Sequence, residues 1–362
     1  MRSNRRVVGT GLIALDILID QRGEAVSSAL GGSAGNVLSI LASLGWGATP
    51  ISVIGKDHAG ERLLQEFRLV NANTSYLKQS KHFRTPVVYQ HQLSGNDGPT
   101  HRFSFTCPQC GTKHKPNFCI DERVIDGKVR SAPDADVFFL DRPTRLGYKL
   151  AERYSQKGVF IVFEPSAVGD DPELFERILK YTNVLKYADD RIPDLDVFDL
   201  SKVDIEIQTK GADGLKFRAS SLTKDWVSMG AYKLPTIKDT SGAGDWCTAG
   251  FIHSLLHRTS LQKGITYTCI AHALAYGQVL STFNCMTVGA RGLLSEYSTK
   301  NITTAATRLT KSRFSEMSEL QDYLSGVVYQ EGLYDYLYTK RSRKYRPSPD
   351  LSVLQSFECC GS

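Results

Sequence analysis

Asp239-Thr240-Ser241-Gly242-Ala243-Gly244-Asp245, followed by Cys247, Phe251 and Leu255 at four-residue spacing, is the most telling stretch of the chain. That spacing predicts an amphipathic helix from about residue 243 with a glycine-rich first turn. The first N–H groups of a helix have no partner inside it, and with the positive end of the dipole they form an anion site. Glycine lets a phosphate come close to the backbone. Asp245 would sit badly beside bound phosphate unless it accepts a proton from an attacking hydroxyl. The plainer alternative is a glycine-rich helix start with a capping aspartate.

A second glycine motif, Gly31-Gly32-Ser33-Ala34-Gly35-Asn36, opens another helix with Val37, Leu38 and Leu41 on one face. Two loop-to-helix starts suggest two ligands. With these motifs the chain resembles the PfkB or ribokinase-like family of carbohydrate and nucleoside kinases. DTSGAGD looks like the family's C-terminal signature and GGSAGNVLSILASLG like its N-terminal one. VVGTGLIALD, VIGKDHAGERLL, IQTKGADGLKF and VGARG stand in the family's order, over roughly residues 7–295.

The resemblance implies a three-layer α/β/α sandwich with a mainly parallel sheet and a small β lid. It implies transfer of the γ-phosphoryl of ATP to a hydroxyl of a sugar, sugar derivative or nucleoside, with magnesium. Asp245 would be the base, and the N–H groups of Gly242, Ala243 and Gly244 the anion hole. By matching position, Asp16, Gly32 and Asn36 would contact the acceptor. Thr209, Gly211 and Gly214 would lie beside the nucleotide, with Gly289, Ala290 and His272 near its base. Asp239 would help organise potassium, and dimerisation through the lid would be expected. Asp16 could equally just end a strand, Asn36 satisfy a helix turn, and His272 be packed or solvated.

Three features depart from the family pattern. An Asn-x-x-Glu element is missing where the chain reads Lys186-Tyr187-Ala188-Asp189-Asp190-Arg191. Asp189 or Asp190 either supplies a carboxylate for magnesium or belongs to an acidic surface loop. Trp246 and Cys247 replace a small residue and a phenylalanine after the aspartate, and a bulky indole there would be expected to reshape the site. Finally, Cys107-Pro108-Gln109-Cys110-Gly111, with His114 and Cys119 downstream and His101 nearby, suits a zinc knuckle bracing the lid. Reduced structural thiols and a redox pair are the rival readings. These departures support a second hypothesis, a catalytically silent member of the fold serving as a protein or nucleic-acid interaction module.

The 362 residues, 41% hydrophobic, suffice for one large α/β core with a small appendage. A net charge of +6 does not by itself imply nucleic acid, and much of it lies in Lys340–Arg346 of a solvated basic tail. Arg2, Arg5 and Arg6 before an apolar run mimic a secretory signal, but Asp16 interrupts it. No apolar run is long enough to span a bilayer, so the chain reads as cytoplasmic, its eight cysteines mostly reduced.

Patterning predicts strands at 7–12, 49–54, 136–140, 158–163, 183–187 and 203–208. Helices are predicted at 33–44, 58–68, 146–156, 172–181, 243–257 and 264–282. This alternation implies a parallel sheet with helices on both faces. A hairpin of 86–92 and 101–106 turns around Ser94–Gly98, giving lid segments of about 16–31 and 84–106, with a Cys-rich loop at 107–119. Beyond the kinase-like domain, 296–362 reads as a helical and aromatic extension, helical to about 326 with Leu320, Tyr323 and Leu324 on one face. Tyr329, Tyr334, Tyr336 and Tyr338 follow.

Overall fold

A computed structural model describes residues 5–95, 98–192, 194–234, 236–258, 264–315 and 328–329. In chain order its first half comprises β1 (Arg6–Thr10), β2 (Ala14–Ile19), β3 (Ala25–Gly31), α1 (Ser33–Ser43), β4 (Gly47–Pro50), β5 (Ser52–Gly55), α2 (His58–Leu69), β6 (Leu77–Ser80), β7 (Val87–Gly95), β8 (Gly98–Ser104) and α3 (Glu122–Ser131). There follow β9 (Val137–Leu140), α4 (Arg145–Gln156), β10 (Phe160–Phe163), α5 (Pro172–Leu179), β11 (Val184–Ala188), β12 (Ile205–Thr209), β13 (Leu215–Ala219), β14 (Thr223–Met229), β15 (Tyr232–Lys233), α6 (Ala243–Arg258), α7 (Tyr267–Cys285), α8 (Gly292–Glu296), α9 (Thr299–Ser315) and β16 (Val328–Tyr329).

The main sheet runs β14-β13-β12-β11-β10-β9-β1-β4 and is parallel from β4 to β12, with β13 and β14 added antiparallel at one edge. Strands buried on both faces read as continuous apolar runs, as VFFL in β9 and FIVF in β10 do. Their alternate residues serve two cores. Val7, Phe139 and Val162 join the core built with α1, α6 and α7, whereas Val8, Phe138 and Ile161 join the one built with α4 and α5. The result is the expected α/β/α sandwich with a mainly parallel sheet.

A separate four-stranded sheet, β3-β2-β7-β8, forms the lid. It hangs from the carboxyl ends of the parallel strands, where ligands of open α/β sheets bind. The expected hairpin is therefore present with longer strands, and its tip at Asn96-Asp97 lies outside the described residues.

Several boundaries differ from expectation for local reasons. β1 stops at Thr10, because Gly11 turns at φ 134° and the Leu12 N–H leaves the ladder for the Asp141 carboxylate, 2.8 Å away. The strand expected at 49–54 is two, since β4 pairs with β1 whereas β5 pairs with β6. The helix expected at 264–282 runs from 267 to 285, its start set by Thr266, whose hydroxyl accepts the Cys269 N–H. Past residue 295 the chain still builds the core, where α9 buries Ile302, Ala305, Ala306 and Leu309. Leu320, Tyr323, Leu324, Tyr334, Tyr336, Tyr338 and the basic run lie outside the described residues. Among the described residues no helix is long and apolar enough to cross a membrane.

Candidate active site

The carboxyl ends of β9 to β12 open into a cleft of roughly 760 Å³ roofed by the lid. Its floor is the start of α6, where sequence reasoning placed the anion hole. Thr240 to Ala243 form a turn in which the Ala243 N–H reaches the Thr240 carbonyl at 3.2 Å, and Gly242 takes φ 71° at the third position. That φ is what a type II turn demands of glycine there. Ala243 is therefore partly engaged, while Gly242 and Gly244 direct their N–H groups to no acceptor among the described residues.

Asp245 lies in the first turn of α6 and lines the cleft, 9% exposed. Its Oδ2 accepts the Asn36 amide at 2.8 Å, which joins the two glycine motifs. Burial, reinforced by Glu164, pushes its pKa from the usual 3.8 up to about 7, against the Asn36 hydrogen bond and Lys186. A carboxylate balanced near neutrality is suited to receive a proton.

Around it stand residues that sequence reasoning missed. Glu164, just past β10, pairs with the Nζ of Lys186 on β11 and accepts the Thr248 hydroxyl at 2.6 Å. Lys186 also lies 3.4 Å from the Gly244 carbonyl. Burial opposes charge on Lys186, but Glu164 outweighs it, and the ammonium keeps its proton beside the glycine turn. Asp141, just past β9, accepts the Leu12 and Ala34 N–H groups, and burial raises its pKa to about 6 against the Arg142 guanidinium, which faces the cleft. For the two carboxylates the readable signal was positional, one just past each of the buried strands β9 and β10. No single motif carries it.

Of the expected acceptor contacts, Asp16, Gly32 and Asn36 all line the cleft. Gly31 is required behind Asp16, since a Cβ there would sit 1.9 Å from its carboxyl. Burial, opposed by Arg291, raises Asp16 to about 7. Phe103 and Phe105 close the lid side. Of the expected nucleotide contacts, Thr209, Gly211 and Ala290 line the cleft, together with Asp189 and Asp190. Gly214 does not line it. Its φ of 97° packs it against the Met229 carbonyl, 2.1 Å from where a Cβ would be, so its role there is to make the turn. Gly289 lines a second cavity of about 430 Å³, which shares Asp16, Gln90 and Ala290 with the cleft, and His272 lines neither.

Trp246 does not reshape the cleft. It is wholly buried, and its indole N–H binds the Ala290 carbonyl at 3.0 Å. The zinc knuckle does not assemble either. Cys107 is buried while Cys110 and Cys119 are exposed, Cys110 gives its thiol proton to the Thr112 hydroxyl, and His114 packs beside the Tyr89 ring. Among the described residues no group of three or more His, Cys, Asp or Glu could hold a metal. The Cys107–Gly111 turn closes through its backbone, with the Gly111 N–H on the Cys107 carbonyl at 3.0 Å. The potassium expectation at Asp239 meets a carboxylate already ringed by hydrogen-bond donors.

The Giardia lamblia ribokinase superposes with a TM-score of 0.66 at 16% identity, covering 84% of this chain and 100% of that one. The fold is ribokinase-like. A Xylella fastidiosa fructokinase with bound ATP gives 0.64 at 14% identity, covering 87% and 99%. A Burkholderia thailandensis nucleoside kinase in complex with inosine gives 0.63 at 15%, covering 83% and 97%. Residues 7–104 match the pfkB family carbohydrate kinase model, so the resemblance read from the motifs holds. No curated protein sequence matches the chain.

Proposed function

We propose that the protein transfers the γ-phosphoryl group of ATP to a hydroxyl of a sugar, sugar derivative or nucleoside. The observation that carries this reading is Asp245, a buried carboxylate with a pKa near 7, held by Asn36 at the mouth of unpaired Gly242 and Gly244 N–H groups. The acceptor lies under the lid, where Asp16 and Asn36 take its hydroxyls and orient one of them toward Asp245. Asp245 receives the proton as that oxygen attacks phosphorus in line. Negative charge on the transferring group falls on the Gly242 and Gly244 N–H groups and on Lys186, which are fixed beforehand and need little reorganisation. Glu164, itself held by the Thr248 hydroxyl, keeps the ammonium in place.

Asp189 and Asp190 on the cleft wall suit magnesium, which binds through few carboxylates, waters and phosphates. Bound there, the ion would neutralise charge on the nucleotide phosphates. The likeness to a nucleoside kinase and to a fructokinase supports acceptors of both kinds, and Phe103 and Phe105 offer apolar surface to a base or sugar face.

The test is phosphoryl transfer from γ-labelled ATP to a panel of sugars, sugar phosphates and nucleosides, comparing wild type with Asp245→Asn. Labelling of one acceptor class by wild type and not by the variant is expected. Failure to consume ATP with any acceptor would overturn the reading.

A further inference from the structure

We propose that neutral side-chain donors, Gln90, Asn284 and Trp246, hold the turn that forms the anion hole in place of a monovalent cation, so the protein needs no potassium. This rests on reading Gly242–Gly244 as the anion hole.

Potassium is held by a ring of oxygens, commonly backbone carbonyls. The Asp239 carboxylate and three carbonyl oxygens around it are already served by donors. Asp239 Oδ1 accepts the Ser241 N–H at 2.8 Å and its hydroxyl at 2.6 Å, and Oδ2 accepts the Gly289 N–H at 2.8 Å. The Asn284 amide donates to the Ser241 carbonyl at 2.9 Å and approaches that of Gly289 at 3.4 Å. The Ala290 carbonyl accepts the Trp246 indole N–H at 3.0 Å. A cation entering here would displace N–H groups already satisfied by these oxygens, at the cost of leaving buried donors unpaired.

Gln90 adds a link that the anion hole alone does not require. It sits on lid strand β7, 4% exposed, and its amide nitrogen donates to the Ser241 hydroxyl and lies 3.4 Å and 3.5 Å from the Asp239 oxygens. With only acceptors on that side, the amide orientation is dictated by the carboxylate. The lid is thereby tied directly to the residues that position Gly242. Gln90 is a positioning residue acting through Ser241 and Asp239.

The experiment compares full-length wild type, Gln90→Leu and Trp246→Phe in potassium chloride and in tetramethylammonium chloride at equal ionic strength. Melting temperature and, for the acceptor found above, kcat and KM are read. For wild type we expect melting temperatures within about 1 °C of each other and rates within about twofold. A potassium-specific rise of several degrees, or an activation of about tenfold, overturns the inference. In Gln90→Leu, kcat should fall about tenfold with KM for ATP within about twofold, and a response to potassium should emerge as Asp239 loses a donor. A folded Gln90→Leu with unchanged kcat overturns the positioning role. Trp246→Phe keeps a ring in the core and removes only one donor, so it supplies the same cation test should Gln90→Leu not fold. Were wild type to transfer no phosphoryl group at all, the kinase reading would fall while the melting comparison would still decide the cation inference.

Discussion

Asp245→Asn should cut turnover severely and at the same time stabilise the protein. The unfolded carboxyl ionises with a pKa near 3.8, whereas in the fold burial and Glu164 hold it protonated to about pH 7. Between those values the folded state binds more protons than the unfolded one, so this group's contribution to stability falls as pH rises from 4 to 7 and stays constant above. A shift of about 3 units corresponds to at most about 4 kcal/mol at pH 7 and above. Asparagine never ionises, and its side-chain oxygen can still accept the Asn36 amide. Allowing for relaxation around the site, a gain of about 2 kcal/mol is expected, about 2–4 °C in melting temperature for a chain of this size. The measurement is thermal melting of both proteins from pH 4.5 to 8.5, beside turnover, which should drop by a factor of about 10²–10⁴. The gap in melting temperature should widen toward pH 7 and vanish toward pH 4. A variant that melts below wild type at pH 8, or a gap that does not change with pH, would refute the reasoning.

The glycines of the turn should separate folding from chemistry. Gly242→Ala forces an alanine into positive φ with its Cβ 2.3 Å from the Ala290 carbonyl, so a loss of about 3 kcal/mol in denaturant unfolding is expected. Gly244→Ala meets nothing nearer than 3.9 Å and should fold normally, yet its methyl would crowd the anion hole and cut phosphoryl transfer about tenfold. Lys186→Met leaves the Glu164 carboxylate unpaired in the interior, which should cost about 3–5 kcal/mol. Because Lys186 lowers the Asp245 pKa, its loss should also move the rising limb of the pH–rate profile to higher pH. Lys128 is buried, donates to the Ser52 and Tyr76 carbonyls, and is depressed to about 8 by burial. The unfolded chain then holds the extra proton between pH 8 and 10.5, so wild type should gain stability relative to Lys128→Met over that interval, as read by melting.

The sheet and the floor of the site were legible because both are local patterns. VFFL and FIVF announce buried parallel strands without any knowledge of their neighbours, and DTSGAGD announces a glycine-rich helix start. What escaped reading depends on distance across the fold. Gln90 looks like one polar residue in an alternating lid strand until β7 is laid over Ser241, 151 positions later. Glu164, just past β10, and Lys186, on the adjacent β11, are 22 residues apart, and nothing in either segment signals the other. The Cys107–Cys110 pair misled for the same reason, since spacing defines a turn but does not decide where two thiols point. Trp246, which looked like an intrusion into the site, has its role settled by a carbonyl 44 residues further along.

Asp141 gathers the Leu12 and Ala34 N–H groups on a single buried carboxylate. Leu12 is where the chain leaves the main sheet for lid strand β2, and Ala34 is where it returns from β3 into α1. The β2–β3 arm therefore begins and ends at one anchor. Sliding this arm along the main sheet would break both hydrogen bonds at once, and β2 is further held by its pairing with β7. One buried carboxylate thus fixes both ends of the arm to the carboxyl end of β9, so the base of the lid and the edge of the cleft share a single support.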